Sequence, residues 1–197
     1  MNDKKTCFVI MPFSKTTEKH NEKYWDSLFS EFIKPPVENL GYNCIRSHAH
    51  PSNIMKEILD NIYKADLILA VLTDENPNVF YELGISHTLP KKTIMLLEEG
   101  HKIPFDIRSY GVVYYKDDYS DVNVKDFEKK LRDFITKIND PKTVSNPVAE
   151  FVKPKSTVLD DIKSSWEFEE EHNKHIGREL KEMSTWPKNR KQHKTKR

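Results

Sequence analysis

Strand-length apolar runs alternate with amphipathic stretches from residue 6 to residue 139, and this rhythm limits the fold more than any other feature of the chain. The expected strands are "TCFVIMPF" (6–13), "YNCIRS" (42–47), "LILAVLT" (67–73), "TIMLLEE" (93–99) and "GVVYYK" (111–116). The first, third and fourth are apolar throughout rather than at alternate positions, as strands covered on both faces are. Between the strands, residues 21–39 place Trp25, Leu28, Phe29, Phe32 and Ile33 on one side of a helix. Residues 53–64 space Ile54, Ile58 and Ile62 by four, residues 77–89 form a third candidate, and residues 124–138 repeat Phe127, Leu131, Phe134 and Ile138 at helical intervals. Strand and helix in alternation predict a parallel sheet wrapped by helices.

Right-handed crossovers then favour an α/β fold, a doubly wound five-stranded parallel sheet in the flavodoxin-like order 2-1-3-4-5, followed by a helical C-terminal extension. That order opens a crevice outside the carboxyl ends of strands 1 and 3. The loops "MPFSKTTEKHN" and "TDENPN" flank it.

The α/β domain is expected over residues 1–140. The proline-containing segment 141–157 reads as a linker, 158–184 as a helical extension and 185–197 as a basic disordered tail. Six of the 32 basic side chains lie in 185–197 with no acid among them, so residues 1–184 hold 26 basic against 31 acidic groups. The balance of the whole chain gives no global bias toward nucleic acid or membrane, while the tail is a separate electrostatic object, solvated or a contact surface. The apolar run at the N-terminus is too short for a signal-peptide core or a membrane span, so a soluble cytoplasmic protein is expected. Cys7 and Cys44 both sit in apolar stretches and read as buried thiols rather than a disulfide framework.

The stretch "DENPNVFYELGISH" (74–87) carries the chemistry. Asn76 before Pro77 suits an N-cap with proline at the first helical position, which puts Glu82 in the second turn. Glu82 either faces solvent or points into the crevice. It shares a face with Asn78 and Ser86, beside the apolar stripe of Val79, Phe80, Leu83 and Leu89. Gly84 weakens a helix, so close packing against the sheet or a ligand is expected of it. Near the positive end of the helix the carboxylate is expected to stay ionised.

"FVIMPF", "ADLILAVLT", "NPNVFYELGISHTL" and "IPFDIRSYGVVYY" together resemble the nucleoside 2-deoxyribosyltransferase-like family and its relatives among bacterial defence effectors, a group distantly akin to the Toll/interleukin-receptor domains that cleave NAD. The resemblance covers residues 6–116 well, the following helix loosely, and leaves out 140–197. It implies a glutamate nucleophile at Glu82 that attacks the anomeric carbon of a nucleoside, nucleotide or NAD and displaces the base, with water completing hydrolysis or a second base completing transfer. It also implies a toxin or antiviral defence role under the control of a partner. Deoxyribosyltransferases carry an aspartate six residues before the nucleophile. Here Asn76 holds that place, with Asp74 two residues earlier, which argues against base exchange and for a leaving group that is already cationic, such as nicotinamide. A nucleotide-sensing or protein-interaction module that keeps the fold without the chemistry is the other expectation.

Met11, Pro12, Phe13 and Ser14 are expected to wall the sugar site, Phe13 either stacking on a base or closing the core. Asp74, Asn76, Asn78 and Tyr81 border the same crevice, Tyr81 as core or rim. Asp106 and Arg108 either clamp a ribose hydroxyl or phosphate or pair with each other at the surface. His87 reads as a core histidine. His48 and His50 lack a third ligand at metal spacing, so no metal is expected, and without a glycine-rich phosphate loop no cofactor is implied. A second copy of the chain, or a regulatory protein or nucleic-acid partner, is expected to engage residues 141–197, and no membrane.

Overall fold

β-Branched, aromatic and leucine-rich runs form strands because their side chains pack well on a pleated surface. Here they pair into one parallel sheet in the order β2-β1-β3-β4-β5. The computed structural model describes residues 4–47, 54–89, 91–140 and 142–152. These belong to one compact unit, Met1–Lys153; residues 154–197, with the expected helical extension and basic tail, lie outside the described residues. The strands are β1 (Lys5–Ile10), β2 (Tyr42–Arg46), β3 (Leu67–Val71), β4 (Lys92–Glu98) and β5 (Val112–Tyr115).

Register fixes which side chains share a face. Phe8 aligns with Ile45 and Ile68, Leu69 with Ile94, and Leu96 with Val113. Because a strand alternates its faces, Cys7, Val9, Leu67, Leu69, Ile94, Leu96 and Val113 fall into one core, while Phe8, Ile10, Ile68, Ala70, Met95 and Leu97 fall into the other. Every residue of β3 is buried, as the middle strand requires.

The first core is covered by a helical rod over 22–39 and by α5 (Asp121–Ile138), and the second by α3 (Ile54–Lys64) and α4 (Pro77–Thr88). The rod comprises α1 (Glu22–Ser27), a π-helical stretch Leu28–Ile33 and α2 (Lys34–Asn39). Two prolines explain the π segment. Pro35 and Pro36 lack the N–H groups that an α-helix would aim at residues 31 and 32, and their rings would clash with those carbonyls. The wider turn, in which Lys34 N–H donates to Phe29 O five residues back, makes room for them. Gly41, at φ 91°, then turns the chain into β2.

α5 begins three residues before the expected start. The Asp118 carboxylate accepts from Ser120 N–H (3.0 Å) and Asn123 Nδ2 (2.6 Å), organising a helix entry through Asp121, Val122 and Asn123 that propensity alone would not favour. Within the segment read as linker, α6 (Pro147–Phe151) forms with Asn146 as its cap, its carbonyl side chain accepting from Ala149 N–H at 2.8 Å, and packs on α4. Among the described residues, no helix is long and apolar enough to cross a membrane. Cys7 and Cys44 are free, buried and paired in register on neighbouring strands.

Candidate active site

β3 hands the chain to a turn, Thr73–Glu75, in which Asp74 (φ 65°) and Glu75 (φ 51°) both take the left-handed conformation. Two consecutive non-glycine residues there are uncommon and store strain of order 1–3 kcal/mol each. Asn76 follows as the cap of α4, its side chain accepting from Asn78 N–H (2.9 Å) and Val79 N–H (3.4 Å). Pro77 occupies the first helical position, as the sequence predicts.

Glu82 lies in the second turn of α4 and is 8% exposed. It lines a narrow cleft at the carboxyl edge of the sheet with Met11 and Phe13 from the end of β1, Arg46 and Ser47 from the end of β2, and Ile58 from α3. The described walls enclose ≈ 10 Å³, room for about one water. Residues 48–53, with His48 and His50 among them, lie outside the described residues. The Ser47 hydroxyl and Arg46 Nε are buried without a hydrogen-bond partner among the described residues. The rest of the Arg46 guanidinium is engaged: Nη1 donates to Trp25 O at 3.2 Å, Nη2 pairs with Asp26, and the group lies 4.9 Å over the Phe29 ring.

Burial pushes the Glu82 carboxyl up to about 7. This corrects the expectation of a carboxylate held ionised by its helix. The helix dipole acts mainly on the first turn, which Glu82 has left, so loss of water decides. His87, further along α4, is buried with Nε2 unpartnered, and burial lowers it to about 4, as for a neutral core histidine.

The polar stripe on α4 does not act together. Asn78 is exposed, whereas Ser86 is buried under the helix and donates its hydroxyl to Leu83 O at 2.8 Å. Gly84 has open space around it, with nothing within 4 Å of a Cβ built there. Its expected close approach to sheet or ligand does not exist among the described residues, and nothing in the structure explains the glycine. Tyr81 is 60% exposed on the outside of α4, so it is not core. Pro12 is buried and Ser14 exposed, and neither lines the cleft with Met11 and Phe13. Asp106 and Arg108 stay at the surface, away from Glu82. Arg108 stacks 4.2 Å over the exposed Phe105 ring and forms no ion pair with Asp106 among the described residues.

Asp74 is engaged within the protein and does not line the Glu82 cleft. Its Oδ2 lies 2.6 Å from His20 Nδ1 and accepts from Thr16 Oγ1 at 2.6 Å. On the other side of the ring, His20 Nε2 lies 3.1 Å from Glu98 Oε2, and Lys19 Nζ bridges Glu98 (2.6 Å) and Asp117 (3.0 Å). The side chains of His20, Asp74 and Glu98 are all nearly inaccessible. His20 Nε2 is buried and makes no hydrogen bond among the described residues, so Glu98 stands beside it by distance alone. Thr73 fastens the layer beneath, its hydroxyl 2.9 Å from Tyr115 Oη and accepting from Glu98 N–H at 3.0 Å.

Sequence reasoning missed Arg46, Ser47 and Ile58 at the cleft and the whole His20–Glu98 cluster. A usable signal existed for Arg46 and Ser47. They end the strand beside β1, and in open α/β sheets ligand sites gather at the carboxyl ends of strands. His20 carried no such mark. Among the described residues no cluster of His, Cys, Asp or Glu is arranged to hold a metal ion. Compared with known proteins, the chain matches no family model and no curated protein sequence.

Proposed function

We propose that the protein is an N-glycosidase that cleaves the bond between base and ribose in a nucleoside, nucleotide or NAD, with Glu82 as nucleophile. One observation carries the reading: a buried carboxyl group with no hydrogen-bond or ion-pair partner among the described residues lines a cleft at the carboxyl edge of a doubly wound sheet. In the step, a Glu82 oxygen attacks the anomeric carbon, the carbon–nitrogen bond breaks, and its electron pair leaves with the base. Water then attacks the ribosyl ester, giving the free sugar from a nucleoside, the sugar phosphate from a mononucleotide or ADP-ribose from NAD; the water's proton goes to solvent or to the departed base, and the carboxylate is returned.

The surroundings of Asp74 bear on the leaving group. That carboxylate is committed to His20 and Thr16, so it is not free to protonate a departing base. A pyridinium base such as nicotinamide leaves neutral without a proton, and the positive charge of its riboside would draw Glu82 toward its ionised form. NAD or a nicotinamide nucleotide is therefore the favoured substrate. A role as a defence effector restrained by a partner at residues 141–197 goes with this reading, as does a cytoplasmic location.

The test is base release from NAD, purine nucleotides and deoxynucleosides by the wild type and by Glu82→Gln. Loss of at least about 10³-fold in kcat/KM is expected; equal turnover removes Glu82 from the mechanism. The attacking form is the carboxylate, which grows as pH rises through about 7, so kcat/KM should climb about tenfold per pH unit below that point and level off above it. A flat profile from pH 5 to 8 would contradict an attacking Glu82.

The small enclosed volume favours a second reading, a nucleotide-binding module without turnover. Saturable NAD or nucleotide binding that depends on Glu82, with no released base, would decide for it.

A further inference from the structure

We propose that His20 and Asp74 form a positioning clasp that ties together the two walls of the Glu82 cleft and so keeps water from the Glu82 carboxyl group. Besides Arg46 and Ser47 at the end of β2 and Ile58 of α3, the cleft has two walls that the clasp joins: β1 with the chain leaving it, through Met11 and Phe13, and α4. The first wall is rooted in β1, whose Phe8, Val9 and Ile10 also line the cleft, but both walls pass through irregular chain beside it. The first continues into residues 11–21, outside any helix or strand. The second starts from the left-handed turn at Asp74 and Glu75, a conformation that persists only when surrounding contacts hold it.

The clasp supplies those contacts. Asp74 sits in the strained turn itself and takes hydrogen bonds from Thr16 and His20, both in the first wall. The first wall is in turn closed on itself. Thr16 N–H and Thr17 N–H donate to His20 O at 2.9 and 3.4 Å, and His20 N–H donates to Thr17 Oγ1 at 3.0 Å. Glu98, at the end of β4, lies 3.1 Å from the other ring nitrogen and holds Lys19 at 2.6 Å, so the clasp adjoins the sheet. Two residues beyond Asp74, the Asn76 cap sets the first turn of α4 and thereby the direction of Glu82.

The charged groups around each partner are few. Lys19, Asp117 and His101, whose Nε2 is 3.7 Å from Glu98, surround the clasp, with Tyr24 and Tyr115 beside it. At the cleft, Arg46 from the end of β2 is the ionisable side chain that lines it with Glu82 among the described residues, and His87, further along α4, does not line it. Among the described residues β1 and α3 contribute only uncharged cleft residues, and burial is what raises Glu82. The inference concerns how Glu82 is held, and it stands whether or not Glu82 attacks a sugar.

The experiment is a carbon-13 NMR titration of the Glu82 carboxyl in the full chain, for the wild type, His20→Ala and Asp74→Gly. Glycine at 74 adopts the left-handed conformation without strain, so that variant removes the clasp while easing the turn. In both variants the midpoint should fall from about 7 toward the ordinary 4.5, by roughly one unit or more, as water reaches the group. A folded variant of either kind that keeps the wild-type midpoint overturns the proposal. If neither variant folds, the proposal is also overturned, because the cluster would then be a requirement of the fold rather than a device that sets the site. Since the readout needs no turnover, an inactive wild type would sink the glycosidase reading alone.

Discussion

Two groups of buried acids lie at the same edge of the sheet, and they are treated in opposite ways. Asp74 and Glu98 are buried against an imidazole, a lysine and a threonine hydroxyl, so each carboxylate has a partner that offsets its lost water. Glu82 is buried to a similar degree and has no such partner among the described residues, and burial raises it to about 7. A buried charge that is paired tells little about function, because pairing is what lets a fold tolerate it. A buried carboxyl left unpaired is a standing cost, and a cost of that kind points to a use.

The sharpest way to break this contrast is Glu98→Ala. It leaves His20 with one carboxylate and Lys19 with only Asp117, and should cost about 3–5 kcal/mol in urea unfolding. A loss below about 1 kcal/mol would mean that the cluster is a solvated decoration and that the two regions do not differ.

Glu82→Gln tests the other side and should act in the opposite direction. The unfolded carboxyl ionises near 4.5 and the folded one near 7, so the unfolded state releases its proton first as pH rises. The penalty for burying Glu82 therefore grows between those two values and is complete above about 7. At pH 8 the glutamine variant should be more stable than the wild type by on the order of 1–3 kcal/mol, allowing for screening at the cleft mouth, and at pH 4 the two should coincide. Destabilisation at pH 8 would reveal a partner for Glu82.

The smallest effect sharpens the picture of α4 itself. Gly84→Ala meets open space and should stabilise by about 0.5–1 kcal/mol, seen as a raised thermal midpoint. A lowered one would show that the helix needs the glycine's backbone freedom.

The sheet was readable from residues because its signal is dense. "LILAV" is buried at every position of β3, and such runs admit few alternatives to a covered parallel strand. Asn76-Pro77 likewise marked the start of α4. The identical Asn146-Pro147 pair starts α6, yet there it was masked by the prolines and polar residues around it, which read as linker. Glu82 was singled out correctly as a residue of the cleft, whereas its protonation was not legible, since that depends on walls supplied by β1, β2 and α3. The clasp was hidden for a related reason. His20 lies 54 residues from Asp74, and only the folded crossover brings them together.

The register of β1 on β2 sets Cys7 directly beside Cys44, with both sulfurs sealed in the first core and the Cys7 thiol pushed well above its ordinary value by burial. Thiolate is the reactive form, so neither atom meets an alkylating reagent or a peroxide while the sheet is intact. The pair works as an internal stopwatch: the rate at which a thiol dye labels it counts the moments when the whole sheet parts, and ignores the fraying of loops around the cleft.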